Sequence, residues 1–401
     1  MAHVIQTDAL VQEGVISSEQ GAIIASRSRQ VMVSLAINTV LCFGIIAAAA
    51  GFIGLLGDAL AVAIVGGLFL AVGTMILTKT TDVYSMFGNA SALIGAGMLV
   101  GGASIKILEA LGEGSGGMFL AILGLGLAVF TAIIHRKGRE HTGFLTGSIL
   151  LMVGAMHLGG LYLWAADVEL SGLAASVTHL YVAVAMIGLG IFIDVRLVTA
   201  LAIVPFAQML DTGTFYWNAM YAFYSPETTL SILQLGIAMA ICVVLASVLS
   251  DRYRRHTHMF GIMAFIVANM CFLVGSLWGD IVGQTMWGPG VSSWRFDGTR
   301  EEYNAAMEVF EASTWVIHEH VYSIVWAVLL IAAAFWSAYT NRRGIFNAAM
   351  TFGAIHAYTQ AFETFYDEPL AYVIGGLAAI PVAWGLWRLN NQFEARNKIA
   401  A

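Results

Sequence analysis

The stretch 314–328, TWVIHEHVYSIVWAV, sets His318, Glu319 and His320 side by side at the start of a long apolar run. Two histidines on one helix can hold a single zinc ion when they stand four apart, as in the zinc-protease motif. Here the position four after His318 is Tyr322. Residues two apart on a helix point about 200° away from each other, so His318 and His320 cannot chelate one metal from a regular helix. They could serve two sites on opposite faces. Other ionisable residues interrupt apolar runs elsewhere: His157, His179, Asp211, Asp280, His356 and Glu363. Histidine titrates near neutral pH and ligates metals, while carboxyls bind cations and relay protons. The chemistry open to this set is therefore proton or cation handling, or the binding of a metal or haem.

The elements that must carry these residues are membrane spans. The chain is 59% hydrophobic and only 11% charged, against about 25% charged residues in a soluble domain. Apolar runs of about 20 residues recur from end to end, each long enough to cross a bilayer as a helix. The pattern predicts an all-α, polytopic transmembrane helix bundle of about twelve spans. They are expected near 31–56, 59–78, 83–104, 117–135, 143–165, 172–193, 197–222, 228–250, 259–282, 313–340, 344–366 and 370–388. A cytosolic N-terminal helical segment (1–30) precedes the bundle (31–390), and a cytosolic tail (391–401) follows it. The turn at 193–196, IDVR, lacks Gly and Pro, yet 171–225 is too long for one helix. Ser17 and Gln20 fit a capping box in the N-terminal segment. The first thirty residues are polar and the first apolar run is long, so no cleavable signal is expected.

Orientation follows from Lys and Arg, which collect in cytoplasmic loops. Of 18 such residues, fifteen fall on one side of the expected topology. Lys106, Arg295 and Arg300 fall on the other. Both termini are then inside. The loop at about 283–312 is outside, Trp-rich and closed by an amphipathic helix. Trp278, Trp287, Trp294 and Trp315 around it read as an interfacial belt or as a lid. The net charge of −7 argues against nucleic acid as a partner. Partners are the lipid bilayer, a small solute or ion, and a homo-oligomer or larger membrane complex. Small-residue pairs such as Gly97/Gly101 and Gly143/Gly147 offer close helix contacts. Cys42, Cys242 and Cys271 lie in apolar segments without a CxxC pair and read as packing residues. A weak threefold repeat of four-helix units runs through spans 1, 5 and 9.

With that topology, depth can be read. His318 and His320 fall about 8–10 Å below the start of span 10, and His179 about 11 Å into span 6. His157 lies about 12 Å from the outer end of span 5. Asp211, Asp280, His356 and Glu363 share the outer half. Ionisable groups at such depth usually face the bundle interior or a wet cavity. One polar cavity open to the outside is expected, with Glu319 and Tyr322 on its rim. A transporter-like or channel-like protein is the leading reading. A haem b or metal-binding redox protein is the alternative, since His157 and His179 sit at one depth on adjacent spans. A structural or assembly subunit is the third.

Twelve spans with an HxH on the tenth are similar to the haem-copper oxidases. The chain departs from them in span 2, which has no His, and in span 7, which opens without an HH pair. ALVQEGVISSEQGAIIA near the start resembles a bacterial family of polytopic inner-membrane proteins of unknown function, which begin with a cytosolic helix pair of pattern L-x₃-G-x-I-x-x-E-Q. AFETFYDEPLAYVIGGLAAIPVAWGLWRL near the end resembles that family's closing spans. Glu363 and Thr364 stand where the family pattern has a basic residue before the aromatic pair. The resemblance implies a bacterial inner-membrane location and helical topology, and it carries no catalytic residues.

Overall fold

The computed structural model describes residues 10–11, 13–24, 47, 51, 54–55, 57–79, 85–137, 142–217, 220–285, 287–289, 296–340 and 342–365, with pieces of 368–388. Most of the first expected span, the 391–401 tail, Cys42, Trp294 and part of the last expected span lie outside the described residues. In the N-terminal segment the capping box is present. The Gln20 amide donates to Ser17 Oγ at 3.1 Å, and the Ser17 amide donates to Gln20 Oε1 at 2.9 Å.

Eight helices among the described residues are long and apolar enough to cross a bilayer. Their outward faces carry Leu68, Ile122, Val243 and Ile324, each more than half exposed. Water would not tolerate so much outward apolar surface on a stable monomer. The protein is an integral membrane protein with a helical bundle architecture.

The chain divides into two compact units at Leu170/Ser171. In the first, α1 (Ala59–Lys79) packs along α2 (Ser85–Leu111), and α3 (Glu113–Lys137) along α4 (Gly143–Asp167). Of the glycines singled out above, Gly101 and Gly143 face open space, Gly97 meets only Met152, and Gly147 is buried. The α1–α2 seam instead uses Gly66, Gly73, Gly95 and Gly102, spaced seven apart on each helix. A Cβ at Gly66 would lie 2.5 Å from the Leu99 amide, and one at Gly95 would collide with the Leu70 amide. In α3–α4 a Cβ at Gly124 would lie 2.6 Å from the His157 amide. In lipid there is little hydrophobic drive between helices, so close backbone approach supplies the attraction.

The second unit begins with α5 (Gly172–Ile193). It ends at a left-handed Asp194 (φ 58°), whose neighbour Val195 returns its amide to the Gly190 carbonyl at 2.9 Å. Asp therefore makes the turn that Gly usually makes. His256 Nε2 lies 3.0 Å from Asp194 Oδ1 and Arg255 3.2 Å from Oδ2. The His256 hydrogen bond, ahead of the charges of Arg255 and Arg252, holds the Asp194 carboxyl below its usual range.

The seventh expected span is corrected. Residues 197–222 are not one helix. They form two short helices, α6 (Arg196–Leu201) and α7 (Ile203–Gln208), and an antiparallel hairpin of β1 (Gly213–Trp217) and β2 (Met220–Tyr224), with Gly213 opposite Tyr224. Pro205 has no amide to give the Leu201 carbonyl, which breaks the ladder where the helix divides. The aromatic run after Gly213 then favours strand over helix.

Next come α8 (Thr228–Val248) and α9 (Asp251–Trp278), packed on each other. A two-residue strand β3 (Asp280–Ile281) follows. The loop helix α10 (Arg300–Ser313) starts at a Thr299–Glu302 capping box, as an amphipathic loop helix requires. Strand β4 (Val316–Ile317) pairs with β3, setting Asp280 opposite Ile317. Helices α11 (Glu319–Tyr339) and α12 (Arg343–Phe365) follow. One core cluster centres on Leu235, Ala264 and Cys271. A second holds Phe272, Tyr322, Trp326 and Leu330.

The α1–α2 seam yields a direct test. Gly95→Ala should lower the thermal stability of the detergent-solubilised protein by the equivalent of about 1–3 kcal/mol. Gly97→Ala, whose Cβ would meet only Met152 Cε at 3.8 Å, should leave it unchanged. Equal effects from the two changes would show that the seam does not depend on glycine.

Candidate functional site

The first turn of α8 carries the most unusual buried charge among the described residues. Glu227, its N-cap residue, is 0% exposed. Around it stand Thr212, Ser225, Thr228 and Ser231, all buried. The hydroxyls satisfy one another. Thr212 Oγ1 lies 2.5 Å from Ser231 Oγ and 3.1 Å from Ser225 Oγ, and Thr228 Oγ1 donates to the Ser225 carbonyl. The Glu227 carboxyl takes no part in these hydroxyl bonds; the backbone amides of Gly283, Gln284 and Thr285 face it without closing a full hydrogen bond.

Asp280 is the second carboxyl, also buried. The β3–β4 clip fixes its place. Its Oδ2 accepts the Thr229 amide at 2.9 Å, the Thr229 hydroxyl, and the Tyr322 hydroxyl at 3.3 Å. Thr229 Oγ1 and Tyr322 Oη are 2.5 Å apart. Asp280 thus caps α8 from another part of the chain, where the helix dipole favours negative charge. Its Oδ1 has no hydrogen-bond partner.

Burial pushes the Glu227 carboxyl up, and the charge of Asp280 adds to this. The backbone amides of Gly283, Gln284 and Thr285 partly offset both, leaving it at about 6. A carboxyl held there changes protonation within the physiological range.

A polar strip continues from Tyr322 along α11. One turn on, the Trp326 indole N–H donates to Asn269 Oδ1 at 2.8 Å. The Trp326 ring meets the His356 ring edge-on at 4.8 Å. His356 Nδ1 and, one turn along α12, Gln360 Nε2 are buried without hydrogen-bond partners.

Of the residues picked out from sequence, Asp280 and Tyr322 come together directly, and His356 joins through Trp326. The others do not join this cluster. His318 is the exposed N-cap of α11, and Glu319 and His320 sit in its first turn. The depth expected for them is corrected: the β3–β4 pairing consumes 316–317, so the helix begins only at Glu319. His320 Nε2 lies 3.7 Å from Glu319 Oε1, with its side chain 84% exposed. Glu363 is exposed on α12. His179 and Asp211, the latter at φ 60°, form an electrostatic pair of their own. His157 belongs to the first unit, where Nδ1 lies 2.7 Å from the Ala121 carbonyl on α3. Among the described residues no three His, Cys, Asp or Glu side chains group as a metal site.

Glu227 escapes a search for ionisable residues inside apolar runs because it lies in the SPETT turn before one. The signal available was the helix-start pattern itself, with Pro226 and Glu227 just ahead of two threonines and an apolar stretch. Compared with family models, curated proteins and solved structures, the chain matches none.

The raised Glu227 value fixes a pH dependence. A carboxyl raised on folding gives its full stability below its ordinary value of 4.5, and that stability is lost as pH climbs to about 6. The loss is about 2 kcal/mol. Glu227→Gln should abolish this drop, making the variant more stable than the parent above pH 6 and no more stable in acid. Thermal unfolding across a pH series measures it. A drop of the same size in the variant would assign the titration elsewhere.

Proposed function

We propose that the protein is a transporter-like membrane protein that moves a small solute or ion. The Glu227–Asp280 pair is its proton- or cation-binding site. The supporting observation is the fully buried Glu227 carboxyl beside a second buried carboxyl, faced by three backbone amides that close no full hydrogen bond to it. Such a group weakens the fold when ionised. Glutamine or an apolar residue would serve packing better. A carboxyl that alternates between protonated and ionised, or that takes up a cation, gives the arrangement a use.

In this reading Asp280 is held in place by Thr229 and Tyr322, while Glu227 takes and releases the proton. Asn269, Trp326 and His356 extend the polar path inward. In this reading the Lys- and Arg-rich loops lie inside, and the acid pair lies toward the outer face of the membrane. The family resemblance of the two chain ends is consistent with a bacterial inner-membrane location.

The test is proton movement in proteoliposomes holding a pH-sensitive dye, challenged in turn with amino acids, organic acids, sugars and monovalent cations. One class should drive a pH change. Glu227→Gln and Asp280→Asn should each remove it, and His320→Gln should keep it. Proton movement that survives both carboxyl replacements would reject the assignment. No movement with any class, in protein that copurifies with a larger complex, would favour a structural subunit.

A further inference from the structure

A second feature of the same unit is separate from the acid pair. A cavity of about 600 Å³ lies between α5 and α8 and is floored by α7 and α9. Its wall is almost wholly apolar and includes Val184, Ile191, Phe206, Ile237, Ala238 and Ile241. On α8 the lining runs from Leu230 to Leu245, about 22 Å at 1.5 Å per residue. That exceeds half the roughly 30 Å hydrocarbon thickness of a bilayer. Over that length, with the roughly 1.4 Å radius of a water added around the positions its centre can occupy, the mean cross-section is roughly 60 Å². A helix with its side chains, 10–12 Å across, needs roughly 80 Å² or more. The space is therefore too narrow for a helix of another protein and suits a single hydrocarbon chain.

Most polar groups in the wall are already engaged, the buried Gln234 Oε1 being the exception, so the wall favours a chain over a polar solute. Thr199 Oγ1 and His256 Nδ1 are 2.7 Å apart, and His256 Nε2 is already engaged by Asp194. Gln234 Nε2 donates to the Phe206 carbonyl at 2.6 Å.

Charge marks one end. His256 and Thr257 line the cavity there. Arg252 stands one turn before His256 on α9, and Arg254 nearly one turn before Thr257, so each shares the face of a lining residue. The Arg252 guanidinium donates to the Ile191 and Phe192 carbonyls at 2.5 and 2.7 Å, and Ile191 is itself part of the lining. Four arginines (Arg196, Arg252, Arg254, Arg255) stand here against two carboxylates, with Arg254 ion-paired to Asp251 and Arg255 to Asp194. This end carries an excess of two positive charges.

We propose that this groove holds one acyl chain of an anionic phospholipid, whose phosphate headgroup rests on Arg252 and Arg254. Arginine is suited to phosphate, and basic clusters beside membrane helices recognise anionic headgroups.

The test uses phosphatidylglycerol with a diazirine near its tail end, phosphatidylcholine with the same tail as control, and the full chain in nanodiscs. Photo-adducts are mapped by peptide mass spectrometry. Phosphatidylglycerol should label α5 and α8 at groove positions more strongly than phosphatidylcholine does. Ala238→Trp should block that labelling. Arg252→Gln and Arg254→Gln should each reduce it about fivefold. If Ala238→Trp does not fold, Ile241→Trp, at an exposed groove position, carries the same test. The proposal is overturned by equal labelling from the two lipids. It is also overturned by adducts that both tryptophan variants leave unchanged, or by a tightly copurifying apolar molecule without a phosphate, such as an isoprenoid quinone.

Discussion

The carboxylate of Asp280 on the first turn of α8 is the contact on which the loop end of the second unit depends. It satisfies an orphan amide of that helix, accepts the Thr229 hydroxyl and orients the Tyr322 hydroxyl. Three long helices, α8, α9 and α11, are thereby joined at one carboxyl. The two-residue β3–β4 ladder holds that carboxyl in register. Within a membrane each backbone polar group must find its partner inside the protein, and a carboxyl placed at a helix start does this with a favourable dipole. The neighbouring Glu227 gains only partial compensation, from the backbone amides of Gly283, Gln284 and Thr285, and that contrast between two adjacent acids is the basis of the functional reading.

The same constraint explains the other end of the unit. Asp194 adopts a backbone conformation that few non-glycine residues take, and it is held there by His256 and Arg255. The turn lets α6 and α7 fold back along α5 and α9 instead of continuing outward. With Pro205 ending the ladder early, the segment reaches the first turns of α5 and α8 as short helices and a turn, where the Ser176 hydroxyl donates to the Met209 carbonyl and Thr212 meets Ser231. The space it leaves beside α5 and α8 becomes the apolar groove. The acid site and the groove thus both follow from one departure from regular helix, the broken segment between Asp194 and Glu227.

Much of the helical architecture was legible in the sequence. Apolar runs near 59–78, 143–165, 172–193 and 228–250 correspond to helices within a few residues, because run length and Lys/Arg punctuation are local signals. The Ser17–Gln20 cap was legible for the same reason. The broken 197–222 segment was not. Its composition is apolar throughout, and only Pro205 and the aromatic alternation after Gly213 hint at the change. The glycine seams were misplaced because spacing alone does not say which helix face meets a neighbour; Gly95 is buried in a seam and Gly101 is open. The polar site was half legible. Asp280, Tyr322 and His356 stood out as polar groups in apolar surroundings. Glu227 sits in a turn, where a carboxyl looks solvated, and its burial arises only when 279–285 packs over it. His318 and His320 drew attention through their spacing, yet two residues of strand pairing shift them to the exposed start of α11.

Glu227 is proposed to titrate inside the protein near neutrality. Infrared difference spectroscopy of the reconstituted protein reads this directly, through the carbonyl stretch of a protonated carboxyl. One such band should appear as pH falls through about 6, and it should be missing in Glu227→Gln. A spectrum with no carboxyl band titrating near pH 6, or one whose band persists in that variant, would contradict the assignment.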